Sequence, residues 1–317
     1  MRTVAEDWLP ALDFPAYLES KRAIDAASLN PALFDNFRAW YEAEPAPRLL
    51  DLGTGTGAML RRVLEFRTAG AALLSGLDSD PMSLESAAVR IRSQLESAGL
   101  QVRVRRAPGR WELEAEGRGR SLGVRLVRGD LLDADPAMLS GLGSHDLVTA
   151  HAFLDLLPVE RGLRTIRSLL RPGGLLYATL NYDGLTVLLP ADSDELFERS
   201  LLAAYDQSME ARRLDGEPTA GAFSGRRFYG ALGPAGFEVL GAGSSDWNVF
   251  PAKGRYAEGN ALFLKSLLGM IAAEGQRSNS IEPAALRAWY RRRVTEVDAG
   301  RLGLVVHQLD LLACRKD

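Results

Sequence analysis

The sequence predicts an α/β fold built around a mostly parallel sheet. Two observations lead to this prediction: short apolar runs alternate with longer amphipathic segments from residue 47 onward, and a glycine-rich turn follows the first of those runs. Strands that alternate with helices favour parallel neighbours, because parallel strands need crossover connections. Of the 317 residues, 46% are hydrophobic and 25% are charged, so the chain has enough apolar side chains for a sizeable core.

Residues 1–46 are predicted to form an N-terminal helical cap, ahead of a main domain that covers residues 47–317. Apolar side chains recur at helical spacing in two stretches of this first segment. Pro45 and Pro47 then interrupt the helical pattern, because proline lacks the N–H that a helix interior needs. The boundary between cap and main domain is therefore placed at these prolines.

Seven apolar runs of the main domain are predicted as strands, and the first five of them alternate with helical or turn-forming segments. Pro81 stands at the start of the helix after the second strand, where its missing N–H removes no helical hydrogen bond. The predicted strands are, in order, 48–52, 72–77, 124–127, 146–150, 175–180, 237–240 and 302–313.

Two segments interrupt this alternation and are predicted as insertions. Residues 101–117 alternate apolar and polar side chains around Pro108-Gly109, which predicts a β-hairpin. Residues 183–223 follow the fifth predicted strand and contain a helical stretch.

The most informative stretch is the glycine-rich turn Leu49-Leu-Asp-Leu-Gly-Thr-Gly-Thr-Gly57. Its three glycines permit a sharp turn after a strand and a close approach of the backbone to a ligand. The helix that follows offers free N–H groups at its first turn. The turn alone leaves the ligand open, since Gly53, Gly55 and Ala58 also satisfy the dinucleotide fingerprint G-x-G-x-x-G/A.

Three acidic residues at consecutive strand ends narrow the choice of ligand. Asp51 lies inside the first strand, where an unpaired charge is costly and a ligand with an ammonium group would explain it. Asp78 ends the second strand, where a carboxylate can accept both hydroxyls of a ribose. Asp130 follows the third strand, within reach of an adenine amino group. Together the three acids indicate a nucleoside that carries an amino acid.

These motifs resemble those of the class I S-adenosylmethionine-dependent methyltransferases across residues 48 to about 182. The resemblance implies a Rossmann-like, mostly parallel sheet of seven strands whose last strand is antiparallel, flanked by helices, with S-adenosylmethionine as the cofactor. The matching segments are Asp51-Leu-Gly-Thr-Gly-Thr-Gly57, Leu77-Asp-Ser-Asp80, Gly129-Asp-Leu-Leu132, Asp146-Leu-Val-Thr-Ala-His151 and Leu170-Arg-Pro-Gly-Gly-Leu-Leu176.

The resemblance also assigns cofactor-binding roles to individual residues. Asp51 and the glycine turn would hold the methionine part of the cofactor, Asp78 its ribose, and Met82 would pack on its adenine. The residues assigned to the cofactor are Asp51, Gly53, Thr54, Gly55, Gly57, Asp78, Ser79, Met82, Asp130, Leu131 and His151.

Candidates for the acceptor side are less specific. His151, Asp155 and Tyr182 are the catalytic candidates, because histidine and carboxylate side chains can take a proton from an acceptor. A hydrogen-bonded histidine in the pocket wall, a helix-starting aspartate and a packing tyrosine explain the same three residues without catalysis. The candidates for substrate contact are Tyr17, Arg22, Asn181 and Trp247.

The sequence leaves the methyl acceptor unidentified. The fourth-strand motif Ala150-His-Ala-Phe153 lacks the Asn/Asp-Pro-Pro-Tyr/Phe pattern of enzymes that methylate exocyclic amines of bases or glutamine amides. The formal net charge is −3 and no RNA-binding domain is apparent, so we expect no nucleic-acid partner. We expect a small-molecule acceptor, with oxygen, nitrogen or carbon as the open choice of acceptor atom and with the oligomeric state open.

Composition also limits the other classes of function. One cysteine, Cys314, and three histidines offer little material for a metal site, so none is expected. No apolar run is long enough to cross a bilayer and no signal peptide is apparent, which predicts a cytoplasmic protein without a membrane partner. A nucleotide-dependent oxidoreductase and a binding-only protein on the same fold stay open as alternatives.

Overall fold

The computed structural model describes residues 8–132 and 144–317. Nine helices are present in this part of the chain, together with a short 3-10 turn at Leu154–Leu156. The helices are α1 Phe14–Ser28, α2 Pro31–Ala43, α3 Ala58–Phe66, α4 Pro81–Ser97, α5 Val159–Leu169, α6 Glu195–Glu210, α7 Ser224–Leu232, α8 Asn260–Arg277 and α9 Pro283–Asp298. The strands are β1 Arg48–Leu52, β2 Gly70–Asp78, β3 Gln101–Ala107, β4 Arg110–Gly117, β5 Arg120–Arg128, β6 His145–His151, β7 Leu170–Leu189, β8 Arg213–Leu214, β9 Glu217–Pro218, β10 Phe237–Ser244, β11 Trp247–Val249 and β12 Gly303–Arg315.

The described strands form one large sheet in the order β10-β12-β7-β6-β1-β2-β5-β4-β3, with β11 paired to β12, and a separate β8–β9 hairpin. β1 pairs in parallel with β2 and β6, and β12 runs antiparallel to β7. The Rossmann-like α/β class is therefore confirmed, and all seven predicted strands are present. The predicted strand number is too low, because the sheet has ten strands. The additional three are β3, β4 and β11.

Helices cover both faces of the sheet. Neighbouring residues of each central strand point to opposite faces, so both sets of side chains are buried. On β1, Leu49 belongs to a core beneath α2, α3 and α4, whereas Leu50 belongs to a core beneath α5 and α7. Both leucines are fully buried. Such two-sided burial explains why the central strands are continuous apolar runs in the sequence.

The predicted hairpin at residues 101–117 is confirmed. β3 and β4 pair antiparallel around Pro108-Gly109, from Gln101 opposite Glu116 to Ala107 opposite Arg110. β4 also pairs antiparallel with β5, so the hairpin prolongs the sheet at its edge. Trp111, Leu113 and Ala115 of β4 are buried, because every second side chain faces the core.

The fifth predicted strand is much longer than expected. β7 continues through Asn181 and Tyr182 to Leu189, where it pairs with Gly303 of β12. Asp183-Gly184 breaks the apolar pattern of the sequence, yet β12 provides a partner for the ladder well beyond this point. The first part of the predicted insertion, residues 183–189, is therefore sheet, and the rest contains α6 and the β8–β9 hairpin.

The first two helices pack in different places, and residues 1–7 of the predicted cap lie outside the described residues. α2 joins the main core, where the Phe37 ring stacks on Tyr177 at 4.7 Å between ring centroids. α1 packs on α8, where Tyr17 stacks on Phe263 at 6.0 Å. The Asp310 carboxylate of β12 accepts a hydrogen bond from the backbone N–H of Asn30, which ties the α1–α2 junction to the sheet. This arrangement places α1 across the carboxyl ends of the central strands.

Candidate functional site

A cavity of about 480 Å³ lies at the carboxyl ends of the parallel strands β1, β2, β5 and β6, with α1 forming part of its wall. This volume is in the range of small-molecule sites. Ligands bind at this edge in open α/β sheets, since the strand-to-helix turns meet there. The glycine turn supplies Gly53, Thr54, Gly55 and Thr56 to the wall.

The glycine turn requires its glycines for backbone reasons. Gly53 and Gly55 have φ angles of +63° and +51°, a region that side chains disfavour. A Cβ atom on Gly53 would lie 2.3 Å from the Phe153 ring, which excludes any larger residue there without rearrangement. Gly57, with φ of +80°, is the N-cap of α3 and packs near Ala87 and Ile91, away from the cavity wall.

Asp51 lies beneath the turn and does not line the cavity. Its two carboxylate oxygens accept hydrogen bonds from the hydroxyls of Thr54, at 2.7 Å, and Thr149, at 2.6 Å. Burial raises the pKa of Asp51 from its ordinary 3.8 to about 6, and the two hydroxyl bonds oppose that shift. The Asp51 carboxylate therefore holds the glycine turn in place. The sequence analysis instead predicted that it pairs directly with an ammonium group of the ligand.

The raised pKa of Asp51 predicts a pH-dependent stability difference between the wild type and Asp51→Asn. Ionisation is less favourable in the folded chain, so wild-type stability falls relative to the variant as the pH rises from about 4 to above 6. The expected change is about 3 kcal/mol, at 1.36 kcal/mol per pKa unit. Urea unfolding of both proteins at pH 4, 5, 6 and 7 measures it. A gap that does not change with pH would contradict this account of Asp51.

Asp78 is the acidic side chain at the end of β2, and it lines the cavity as predicted. One carboxylate oxygen accepts a hydrogen bond from the backbone N–H of Gly55 at 2.7 Å, and the other accepts one from the N–H of Asp80 at 2.9 Å. Burial raises the pKa of Asp78, although these N–H groups favour its charged form. The side chain thus joins the glycine turn to the β2 end and presents negative charge to the cavity.

Three further predicted residues lie on the same wall. Ser79 follows Asp78, and Asp130 and Leu131 follow β5. The Asp130 side chain is exposed and accepts a hydrogen bond from the N–H of Leu132 at 2.9 Å, whereas Leu131 is buried. Strand ends from β1, β2 and β5 therefore meet around one space, which the motif order predicted.

Other predicted residues lie outside the cavity wall. Met82 is the second residue of α4, is 68% exposed and does not line the cavity. Arg22 points outward from α1 and pairs with Glu19 at 3.1 Å, because the inner face of α1 carries Lys21 and Asp25 instead. Asn181 is buried within the sheet, where its amide donates to the carbonyl of Leu309 at 2.8 Å.

His151 lines the cavity as part of a cluster that the sequence did not reveal. Its Nδ1 lies 2.6 Å from the Thr179 hydroxyl and its Nε2 lies 3.3 Å from the Asp25 carboxylate. Asp25 also accepts hydrogen bonds from the Trp247 indole, at 2.9 Å, and pairs with the Lys21 ammonium, at 2.9 Å. Burial alone would raise the pKa of Asp25, but Lys21 and His151 hold it at about 2. Asp25 therefore stays charged and fixes the imidazole against α1.

Asp155 lies in the short 3-10 turn after β6 and also lines the cavity. Burial raises its pKa to about 6, and the Arg212 guanidinium, 3.4 Å away, opposes the shift. A carboxyl group with such a pKa exchanges protons near neutral pH. A role in starting a helix would explain why Asp155 lies in the 3-10 turn. It would not explain why the Asp155 side chain lines the cavity.

Three aromatic candidates line the cavity: Tyr17, Tyr182 and Trp247. The Tyr182 hydroxyl donates to Asp206 at 2.8 Å, and burial, the leading cause, raises its pKa far above the ordinary value. Burial likewise raises the pKa of Tyr17. Both phenols therefore stay protonated near neutral pH and supply walls and hydroxyl groups.

The described part of the chain, residues 8–132 and 144–317, holds no cluster of three or more His, Cys, Asp or Glu side chains suited to a metal ion. Among the same residues, no helix is long and apolar enough to span a bilayer.

No protein-family model matches the sequence, and no curated protein does. The solved structures that match the chain include a candidate methyltransferase from Bacillus halodurans C-125, at 15% identity and a TM-score of 0.49, covering 89% of this chain and 98% of that one. An S-adenosylmethionine-dependent methyltransferase from Thiobacillus denitrificans, in complex with S-adenosyl-L-homocysteine, has 15% identity and a TM-score of 0.44, covering 93% and 96%. A corresponding complex from Geobacter sulfurreducens has 15% identity and a TM-score of 0.41, covering 94% and 98%.

Proposed function

We propose that the protein is a class I S-adenosylmethionine-dependent methyltransferase that acts on a small-molecule acceptor. One observation carries the proposal: the glycine turn, Asp78 and Asp130, which the motif resemblance assigns to the cofactor, surround a single cavity. They come from three strands that are far apart in sequence and meet only because β1, β2 and β5 are neighbours. The same cavity continues past His151 to an aromatic wall, where an acceptor would bind.

The chemistry of the wall fits each part of the cofactor. Asp78 offers a carboxylate to the ribose hydroxyls, and the glycine turn lets the backbone approach closely. Lys21 would pair with the carboxylate of the cofactor's amino acid, since its ammonium lines the cavity and is the cation that α1 turns inward. Arg22, a predicted substrate contact, lies outside the cavity wall and pairs with Glu19 instead. Asp51 would contribute charge from beneath the turn.

The bound cofactor would supply a sulfonium methyl group, which is already a good electrophile. The chain's own residues then have to align an acceptor lone pair with that methyl and keep water out. His151 has a positioning role in the cavity wall, because its two ring nitrogens contact the Thr179 hydroxyl and the Asp25 carboxylate. Asp155 is the group that takes a proton where the acceptor must lose one, since its pKa of about 6 leaves it ionised at pH 7.

Acceptor-dependent release of S-adenosylhomocysteine tests the proposal. We expect S-adenosylmethionine carrying a tritiated methyl group to label at least one member of a panel of phenols, alcohols and amines. With an acceptor that loses a proton, Asp155→Asn should lower kcat at pH 7 on the order of 100-fold, because a positioned base contributes about 10²–10⁴. The affinity of the variant for S-adenosylhomocysteine should not change.

Two results would contradict the proposal. Tight binding of S-adenosylhomocysteine without transfer to any panel member would favour a binding-only protein. An unchanged kcat in Asp155→Asn, with such an acceptor, would remove Asp155 from the proton transfer and return attention to His151.

A further inference from the structure

Gln308 is a buried polar side chain of the cavity wall. It lies on β12, is only 2% exposed and lines the cavity. Its side-chain oxygen has no hydrogen-bond partner in the part of the chain that the structure describes. Buried amide oxygens are nearly always paired, because leaving one unpaired is costly. A donor from outside the chain is the simplest partner for it.

The cavity that Gln308 lines has several apolar and aromatic residues in its wall. We define the acceptor compartment as the part of the cavity lined by Tyr17, Leu180, Tyr205, Trp247, Met270 and Gln308. Aromatic walls of this kind bind flat or bulky apolar groups, and a single polar group then fixes their orientation. Gln308 provides such a group.

The charges next to the compartment disfavour an anionic acceptor. Neither cationic side chain of the described cavity wall is left for an acceptor: Lys21, 2.9 Å from Asp25, is proposed to pair with the cofactor's carboxylate, and Arg212 lies 3.4 Å from Asp155. A carboxylate or phosphate on the acceptor would have to displace one of these acids or lie beside it. Buried like charges repel strongly, so this arrangement favours acceptors that are neutral or cationic.

We propose that Gln308 is a specificity-determining residue that accepts a hydrogen bond from an N–H or O–H group of a largely apolar, non-anionic methyl acceptor. This inference rests on the proposed function, since the compartment is an acceptor site only if the neighbouring strand ends hold the cofactor. The methyl acceptor is then an apolar ring or chain with one hydrogen-bond donor and no anionic group.

Binding of four small probes to the protein saturated with S-adenosylhomocysteine tests this inference. The probes share one ring: 2-phenylethanol and 2-phenylethylamine carry a donor, the methyl ether of 2-phenylethanol carries none, and 3-phenylpropionate carries an anion. Ligand-observed NMR titrations measure their Kd values. We expect the alcohol and the amine to bind about tenfold more tightly than the ether, which is the effect of one hydrogen bond, and the anion to bind most weakly.

Gln308→Met serves as the matched variant, since methionine keeps the length of the side chain and removes its hydrogen-bonding groups. The difference between alcohol and ether should disappear in Gln308→Met, while the Kd for S-adenosylhomocysteine stays the same. Because the amide has an unpaired buried oxygen, the Tm should stay the same or rise; a purely structural glutamine would give a lower Tm.

The other possible results distinguish a failure of the Gln308 inference from a failure of the proposed function. Preferred binding of 3-phenylpropionate, an alcohol–ether difference that survives in Gln308→Met, or no binding of any probe to the saturated protein would overturn the inference. Failure of S-adenosylhomocysteine to bind would instead contradict the proposed function, and the same four probes on the unsaturated protein would then still test Gln308.

Discussion

Asp78→Ala is expected to weaken the binding of S-adenosylhomocysteine by at least about 100-fold, since two charge-assisted hydrogen bonds to ribose contribute roughly 1.5–3 kcal/mol each. The structure adds a second reason for a large effect. The Asp78 carboxylate also accepts the backbone N–H groups of Gly55 and Asp80, at 2.7 and 2.9 Å, so its removal loosens the glycine turn on the other side of the same cavity.

Asp78→Asn is the matched control for this experiment. The amide keeps the shape of the side chain and one acceptor oxygen, so we expect a loss of affinity between those of the wild type and Asp78→Ala. Calorimetric titration measures the three affinities, and thermal unfolding checks that all three proteins are folded. An affinity in Asp78→Ala equal to that of the wild type would remove Asp78 from the cofactor site.

Gly55→Val is expected to abolish detectable binding of S-adenosylhomocysteine. Gly55 lines the cavity with a φ of +51°, and a Cβ atom there would lie 3.1 Å from Leu18 Cδ1 on α1. The two methyl groups of valine would extend further into this space. A side chain in this backbone region also costs about 1–2 kcal/mol, so the variant should be less stable as well as unable to bind.

Gly119→Val separates the two effects of that substitution. Gly119 has a φ of +74° in the turn between β4 and β5, at the opposite end of β5 from the cavity, and a Cβ atom there would meet nothing within 4 Å. We expect a similar loss of stability with unchanged affinity, measured by urea unfolding and calorimetry. Normal binding by Gly55→Val would refute the assignment of the glycine turn.

The positions of the central strands were predictable because each one is an apolar run followed by a helix or turn. The length of β7 could not be predicted from the sequence. Polar residues such as Asp183 interrupt its apolar pattern, and its second half depends on pairing with β12. The pairing of β11 with β12 was equally hidden, because three residues from Trp247 to Val249 are too short to show a period.

The cofactor side of the site was more predictable than the acceptor side for a related reason. Gly53, Asp78 and Asp130 belong to local motifs, so their neighbours in sequence identify them. The contact of His151 with Asp25 joins residues 126 positions apart, and Gln308 is a lone polar residue in a strand. Nothing local distinguishes Asp25 from an exposed helix residue, so only its burial against Lys21 and Trp247 reveals its role.

Calorimetric titration of the wild-type protein with S-adenosylhomocysteine, with NAD as the parallel ligand, distinguishes the proposed cofactor from a dinucleotide. We expect S-adenosylhomocysteine to bind at one site per chain with a Kd in the micromolar range, and NAD not to bind. Binding of NAD without binding of S-adenosylhomocysteine would contradict the proposed function and favour a nucleotide-dependent oxidoreductase on this fold.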